Sequence, residues 1–293
     1  MPQIDEARSV GELGLTDDTG RLEAAKIIAE DAIRYHGPRH IVALFSGGHD
    51  SVCATHFAST LDGFTGVFHA NTGIGIEQTR EYVRQTCNEH GWRLWEYHAT
   101  DPSYDDLVLD KGFPRGPKSH NSMYWYLKQK SLDRFVQEMK DEWSDRIMLV
   151  TGIRTSESVR RMGQAMSQPW TRTGAQVWVN PILLWSKLDT GRYMAAHGIR
   201  RNPVVDTLHR SGECLCGAFA NANEIHEIEE WYPDTAERIY RLERRCEERG
   251  LVDCRWAQSQ APGKRWDEVH ESEVDLQMCL ACVADNRKPM PPP

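Results

Sequence analysis

The stretch ALFSGGHDSVCATHF, residues 43–57, constrains the fold of this chain more than any other segment. An apolar run ends at two adjacent glycines, and an amphipathic run starts directly after them. Gly47 and Gly48 let the backbone turn sharply and approach a ligand closely. A helix that starts there presents unpaired N–H groups and the positive end of its dipole. Ser46 and Ser51 add hydroxyl donors, His49 a titratable ring and Asp50 a carboxylate. An ordinary strand-to-helix turn with a polar cap also tolerates two glycines, so the turn alone leaves both readings open.

The surroundings of this turn set the fold class. Ile41–Phe45 reads as a strand and the segment from the glycines through Leu61 as a helix. Gly66–Ala70 reads as a second strand, and IEQTREYVRQTCNEHG as a helix ending at Gly91. RLWEYHA is a third strand, and RIMLVTG, residues 146–152, a fourth. Before them, residues 5–36 carry a helical apolar stripe of Ala24, Ala25, Ile27, Ile28, Ala32 and Ile33. Strands alternating with helices predict an α/β fold, a parallel twisted sheet with helices on both faces. Ligands of such sheets bind beyond the carboxyl ends of the strands. Three polar clusters follow strand ends: Ser46–Ser51, Asn71–Gly75 and Gly152–Arg161. They are expected to meet in space.

These elements divide the chain into an N-terminal helical segment (1–36), a nucleotide-binding domain (37–205), a smaller cysteine-bearing helical region (206–285) and a proline-rich disordered tail (286–293). Hydrophobic residues make up 40% of the 293 and charged residues 27%, which fits a soluble globular chain. Apolar runs of about 18 residues are absent, as is the basic-then-apolar start of a signal peptide, so a cytoplasmic location with no membrane partner is expected. The net charge of −8 places any nucleic-acid contact on a local basic patch or on a partner protein.

The clusters have distinct chemistry. Asn71, Thr72 and Gly73 open a polar turn that lets a base or ribose approach the backbone. GIRTSESVRR places Arg154, Arg160 and Arg161 around Glu157, and guanidinium forks match phosphate or sulfate oxygens. Lys118, Lys128 and Lys130 lie between the third and fourth strands, in a pattern that also suits a solvated face. Among the tryptophans, Trp125 and Trp170 sit in basic, loop-rich stretches and are candidate stacking platforms, whereas Trp92, Trp95, Trp178 and Trp185 fall where burial is expected.

The eight cysteines separate by spacing. Cys53, Cys87, Cys246 and Cys254 stand singly and are expected to be small packed side chains. Cys214 and Cys216 are two apart, so an extended segment projects both thiols to one side. Cys279 and Cys282 form a C-x-x-C. Four thiolates from two pairs make a closed soft site for either an iron–sulfur cluster or tetrahedral zinc.

Taken together, these motifs resemble one superfamily. SGGHDS resembles the pyrophosphate loop of the N-type ATP pyrophosphatases, with histidine at position 49 where lysine is common. ANTGIGIEQTRE, GIRTSESVRR, NPILLWSKLDTGRYMAAHGI and RNPVVDTLHRSGECLC resemble, in order, segments of the phosphoadenosine phosphosulfate (PAPS) reductase family. The resemblance implies an adenine nucleotide alpha hydrolase-like sheet. It implies nucleotide contacts from Ser46, Gly47, Gly48, His49, Asp50, Ser51, Asn71, Thr72, Gly73, Lys128, Gly152, Arg154, Glu157 and Arg161, with Asp50, Arg154 and Arg160 as catalytic groups. Members with a cysteine pair and a distant C-x-x-C hold a 4Fe-4S cluster, which tips Cys214, Cys216, Cys279 and Cys282 toward iron. No cysteine follows Cys282, whereas assimilatory reductases of the family end in a tail thiol. The resemblance therefore implies the other branch: ATP, with Mg2+, split to AMP and pyrophosphate for sulfur incorporation. The nearest likeness is to the ATP pyrophosphatase of DNA phosphorothioation systems, acting with a cysteine desulfurase and other sulfur-modification subunits on a nucleic-acid acceptor. A sulfonucleotide reductase or a non-catalytic nucleotide sensor are the alternatives.

Overall fold

The computed structural model describes residues 18–155, 169–221, 223–251 and 254–257. The chain begins with α1 (Asp18–His36), followed by β1 (His40–Leu44), α2 (His49–Ala58), β2 (Phe64–Asn71), α3 (Glu77–Glu89) and β3 (Leu94–His98). Then come α4 (Tyr104–Lys111), α5 (Gly116–Tyr124), a π-helical turn (Trp125–Gln129), α6 (Lys130–Glu138), β4 (Ile147–Val150), β5 (Trp170–Thr173) and β6 (Gln176–Val179). Helices α7 (Lys187–Ala196), α8 (Pro203–Leu208), α9 (Glu224–Trp231) and α10 (Pro233–Glu248) follow among the described residues.

Six strands form one sheet in the order β3-β2-β1-β4-β6-β5. β1 pairs in parallel with β2 and β4, and β4 in parallel with β6. The expected parallel sheet is present, with one addition: β5 closes the edge antiparallel to β6. Ile41, Val42 and Ala43 of β1 and all four residues of β4 are almost wholly buried. Continuous apolar runs of this kind belong to strands covered on both faces. The chain leaves β1 for β2 and β3 on one side, then returns to place β4 on the other. That reversal makes the β1/β4 boundary the switch point where such sheets bind ligands.

Packing gathers the chain into two compact units. The first spans Met1–His69, Glu81–Glu96 and Asp133–Asn202; the second spans Ala70–Arg80, Tyr97–Leu132 and Pro203–Pro293. In the first, the small residues Ala25, Ala29 and Ala32 of α1 and Ala54 and Ala58 of α2 share a core with Ile41, Ala43, Met148 and Val150. In the second, Tyr104, Leu107 and Val108 of α4 share a core with Met123, Leu127, Ile239 and Leu242. Two helices are fixed at their starts by reciprocal caps. Ser103 caps α4 with Asp106, and Ser186 caps α7 with Asp189. Among the described residues no helix is long and apolar enough to cross a membrane.

The single cysteines behave as expected from their spacing. Cys53, Cys87, Cys246 and Cys254 are all buried. Burial pushes the Cys87 thiol up to about 12, so it stays protonated and unreactive. Trp185 is buried at 3% exposure, while Trp92, Trp95 and Trp178 are half-buried. Trp170 differs from its expectation as a stacking platform. Its ring packs 5.2 Å from Tyr35 and 4.7 Å from His36, which ties the sheet edge to the end of α1.

Candidate functional site

The first unit builds the glycine turn from several elements. Gly47 adopts φ 79°, a left-handed conformation that glycine enters at no steric cost. Gly48 is the N-cap of α2, and a glycine offers no side-chain oxygen to the first helical N–H groups. The Ser51 hydroxyl donates to the Gly48 carbonyl at 2.8 Å, and the Ser46 hydroxyl donates to Ser51 Oγ at 3.2 Å. Asn202, wholly buried, donates to the Gly47 carbonyl at 2.8 Å. The turn is thus held from behind by side chains far away in sequence.

Gly152, just beyond β4, lies against this turn. A Cβ built on Gly152 would stand 2.6 Å from the backbone carbon of Asp50 and the nitrogen of Ser51. The first and third polar clusters therefore do meet, at backbone contact. Arg154 sits two residues on, 6% exposed, and its Nε lies 2.8 Å from Asp50 Oδ1. Asp50 is in the first turn of α2, where the helix dipole favours an anion. The segment behind Arg154 is fixed in turn: Thr151 N–H donates to Val179 O, and Thr155 N–H to Leu183 O, each at 2.9 Å. The Thr151 hydroxyl also donates to buried Asn180.

The predicted set is thus partly assembled within this unit. Ser46, Gly47, Gly48, His49, Asp50, Ser51, Gly152 and Arg154 are brought together. Glu157, Arg160 and Arg161 lie outside the described residues, as do Cys279 and Cys282.

The second unit contains the Asn71–Gly75 turn. Asn71 Oδ1 accepts from Gly73 N–H at 3.0 Å, and Asn71 Nδ2 is 3.0 Å from His98 Nε2. Glu213, 1% exposed, accepts from Thr72 N–H at 2.9 Å, and its own carbonyl accepts from the Thr72 hydroxyl at 2.6 Å. Arg80, 7% exposed, donates to the Gly75 carbonyl at 2.9 Å and stands 3.8 Å from Glu213 Oε2. A Cβ on Gly75 would meet the Glu213 carbonyl oxygen at 2.5 Å, so only glycine allows this closeness. Arg238 adds a donor to the Gly73 carbonyl and pairs with Asp105 at 2.9 Å. Glu213, Arg80, Arg238 and, in the first unit, Asn202 were not singled out by the sequence; the NP and GEC motifs were the signals that contained two of them.

Directly after Glu213 come the paired thiols. Cys214 is partly exposed and Cys216 is buried. The backbone between them is pinned: the Tyr104 hydroxyl donates to Cys216 O at 3.0 Å, and Trp256 Nε1 to Leu215 O at 2.7 Å. His120 Nδ1 stands 3.6 Å from Cys216 Sγ. A hydrogen bond from the Cys216 thiol, opposed by burial and helped by the charges of Lys128 and His120, lowers Cys214 to about 5. The same pair contact, with burial, keeps the Cys216 thiol raised and protonated. Lys128 therefore acts on the thiol pair from the π-helical turn, a local distortion often found at functional sites. Two adjacent thiols, one already favouring the thiolate, fit a soft metal or cluster as a donor set. Among the described residues no group of three metal-ligating side chains is gathered on one point.

The glycine turn thus stands at the carboxyl end of a central strand in the mostly parallel sheet of an α/β protein. The chain belongs to the phosphoadenosine phosphosulfate reductase domain family, whose pattern matches residues 40–216. It is 21% identical over 255 residues to a phosphoadenosine 5'-phosphosulfate reductase of Salmonella newport (strain SL254), covering 84% of this chain and 93% of that protein. It is 25% identical over 187 residues to an adenosine 5'-phosphosulfate reductase of Chelativorans sp. (strain BNC1), covering 64% and 71% respectively. Among solved structures it aligns with the U34-tRNA thiolase NcsA from Methanococcus maripaludis with its 4Fe-4S cluster, at a TM-score of 0.48 and 13% identity, over 91% of this chain and 92% of that one.

Proposed function

We propose that this chain is an ATP pyrophosphatase that activates an acceptor oxygen for replacement by sulfur, with the DNA phosphate backbone as the acceptor. The acceptor oxygen attacks the α-phosphorus of ATP, and the bond to the bridging oxygen breaks to release pyrophosphate. Hydrosulfide, freed from the persulfide of a desulfurase partner by a reducing thiol that ends as a disulfide, then attacks the adenylated acceptor phosphorus, and the bond to the AMP oxygen breaks. The N–H groups at the start of α2, with Ser46 and Ser51, hold the departing pyrophosphate. Asp50 helps to hold the Mg2+ that accompanies the triphosphate. Arg154, with Arg160 and Arg161, offsets charge accumulating on the phosphates. Cys214 and Cys216 hold a 4Fe-4S cluster together with Cys279 and Cys282, and the cluster supplies soft, sulfur-binding metal chemistry.

The observation that supports the cluster in this reading is the fixed setting of the thiol pair. The carbonyls of Leu215 and Cys216 are hydrogen-bonded, and the two thiols bond each other. Such thiols suit ligation better than a swing toward a sulfonate. The named relatives favour the second reading, sulfonucleotide reduction. Incubating the protein separately with ATP, PAPS and APS distinguishes the two. AMP and pyrophosphate from ATP are expected, and Asp50→Ala should stop their release; sulfite from PAPS or APS, with no pyrophosphate from ATP, would replace this reading by the second.

The cluster makes its own prediction. Protein purified without oxygen should carry about four irons per chain, as a 4Fe-4S centre on four thiolates requires. Cys214→Ser and Cys216→Ser should each lose most of that iron, while Cys53→Ala and Cys87→Ala retain it. Stoichiometric zinc with no iron, or full iron in Cys216→Ser, would remove the cluster from this account.

A further inference from the structure

Gly47 and Gly48 give the turn its close approach to a ligand, and the same freedom works against it. With no Cβ on either residue, the peptide that joins them can flip at little steric cost. A planar trans peptide points its C=O and N–H in opposite directions. A flip would therefore put the Gly47 carbonyl where the Gly48 N–H stands, and a carbonyl repels an anion. The turn binds an anion only if this peptide is held one way round.

Two wholly buried side chains hold it and its neighbour. Asn202 stands 155 residues away in sequence, and its Nδ2 donates to the Gly47 carbonyl at 2.8 Å. Pro203 follows it and confines its backbone to extended conformations, which limits where the side chain can reach. His69, in β2, faces the Phe45 carbonyl through Nδ1 at 2.7 Å. A carbonyl only accepts, so this nitrogen carries the ring proton. The residues whose carbonyls are held, Phe45 and Gly47, are buried; Ser46 and Gly48, whose N–H groups point the other way, are partly exposed. No backbone carbonyl among the described residues accepts from either N–H. The Gly48 carbonyl faces into α2 and accepts from Val52 N–H at 2.9 Å, which turns the His49 N–H back toward the turn. Successive N–H groups set this way make an anion-binding concavity without a cationic side chain.

We propose that Asn202 and His69 are positioning residues of the glycine turn: by holding the Gly47 and Phe45 carbonyls inward, they aim the Gly48 and Ser46 N–H groups at a pyrophosphate anion. Their role rests on the reading of this turn as the site of the departing pyrophosphate.

The chain contains one Gly-Gly pair, so glycine labelled at its carbonyl carbon and its nitrogen gives a single carbonyl-coupled amide signal in NMR, that of Gly48. Inorganic pyrophosphate with Mg2+ is titrated into wild type, Asn202→Leu, His69→Asn and His69→Leu, following this signal and the heat of binding. Leucine has nearly the shape of asparagine but no donor. Asparagine at position 69 keeps a donor near the place of Nδ1, and leucine there does not. Pyrophosphate should shift the Gly48 signal in wild type. Asn202→Leu should move that signal before any ligand is added and bind about tenfold more weakly, because affinity falls with the fraction of turns left the right way round. His69→Asn should keep wild-type affinity and His69→Leu lose it. Packing alone would give the reverse order, since a buried site accepts leucine more readily than asparagine. If Asn202→Leu does not fold, the two His69 variants decide, and equal affinity in them overturns the proposal. Pyrophosphate binding in wild type that Asn202→Leu and His69→Leu match would overturn both roles and leave the phosphate site standing. A Gly48 signal that pyrophosphate does not move in wild type would overturn the phosphate reading of the turn, and these roles with it.

Discussion

Gly152→Ala is expected to weaken binding of a non-hydrolysable ATP analogue at least a hundredfold while leaving the sheet intact. The added methyl would stand 2.6 Å from two backbone atoms of Asp50 and Ser51 and 2.7 Å from the Asp50 carbonyl oxygen. Backbone atoms cannot rotate away as a side-chain tip can, so either β4 or the turn must move by roughly 1 Å. A misplacement of that size costs on the order of a hundredfold where a site depends on positioned groups. The strain itself costs about 1–3 kcal/mol of stability. Gly191 provides the control, because a Cβ there meets nothing within 4 Å and the residue lies inside α7. Gly191→Ala should raise stability by up to about 1 kcal/mol without changing affinity. Calorimetric titration of the three proteins checks the prediction; wild-type affinity in Gly152→Ala would show that the turn does not contact the nucleotide.

β1, β2 and β4 were legible as short apolar runs, and the half-buried edge strand β3 by the alternation of its aromatic and polar residues. Their bounds moved by only a residue or two, as with Ile41–Phe45 against the observed β1 His40–Leu44. β5 and β6 were not legible. WTRT is an edge strand whose exposed and half-buried positions carry no apolar pattern, and QVWV is only four residues long. Trp170 stands among basic neighbours, but the rings that pack on it, Tyr35 and His36, lie on a helix more than a hundred residues earlier. The glycine turn was readable from its own composition, since local backbone freedom and helix polarity are local properties. Its support was not, because Asn202 and Gly152 reach it only through the fold.

One pairing changes how the turn is understood. Asp50, proposed to help hold Mg2+, and Arg154, proposed to offset phosphate charge, lie 2.8 Å apart with Arg154 largely buried. Each charge thereby neutralises the other. On the proposed reading Mg2+ and triphosphate would offer each a new partner of opposite sign, and the pair holds both side chains at the turn with neither charge unpaired in a poorly solvated place.

Glu213 should prove the most costly single residue to remove from the second unit. Its carboxylate is 1% exposed, accepts from Thr72 N–H at 2.9 Å and from the Thr72 hydroxyl at 3.3 Å, and faces the buried Arg80 at 3.8 Å. Reading GECLC drew attention to the cysteines, because the partners of the glutamate lie on a loop 141 residues away. Glu213→Ala removes the acceptor of the buried Thr72 N–H, while Arg80 keeps its closer carboxylate, Glu77 at 2.8 Å, so a loss of about 1–3 kcal/mol is expected. Glu213→Gln keeps an acceptor for Thr72 while losing the charge, and should cost roughly half as much. Thr72→Val tests the same contact from the other side; in a double-mutant cycle it should show clear coupling to Glu213→Ala. Denaturant titration of the four variants supplies the free energies. Equal, small losses for Glu213→Ala and Glu213→Gln, with no coupling to Thr72, would show that the turn is held by the Thr72 hydroxyl, Arg238 and the backbone alone.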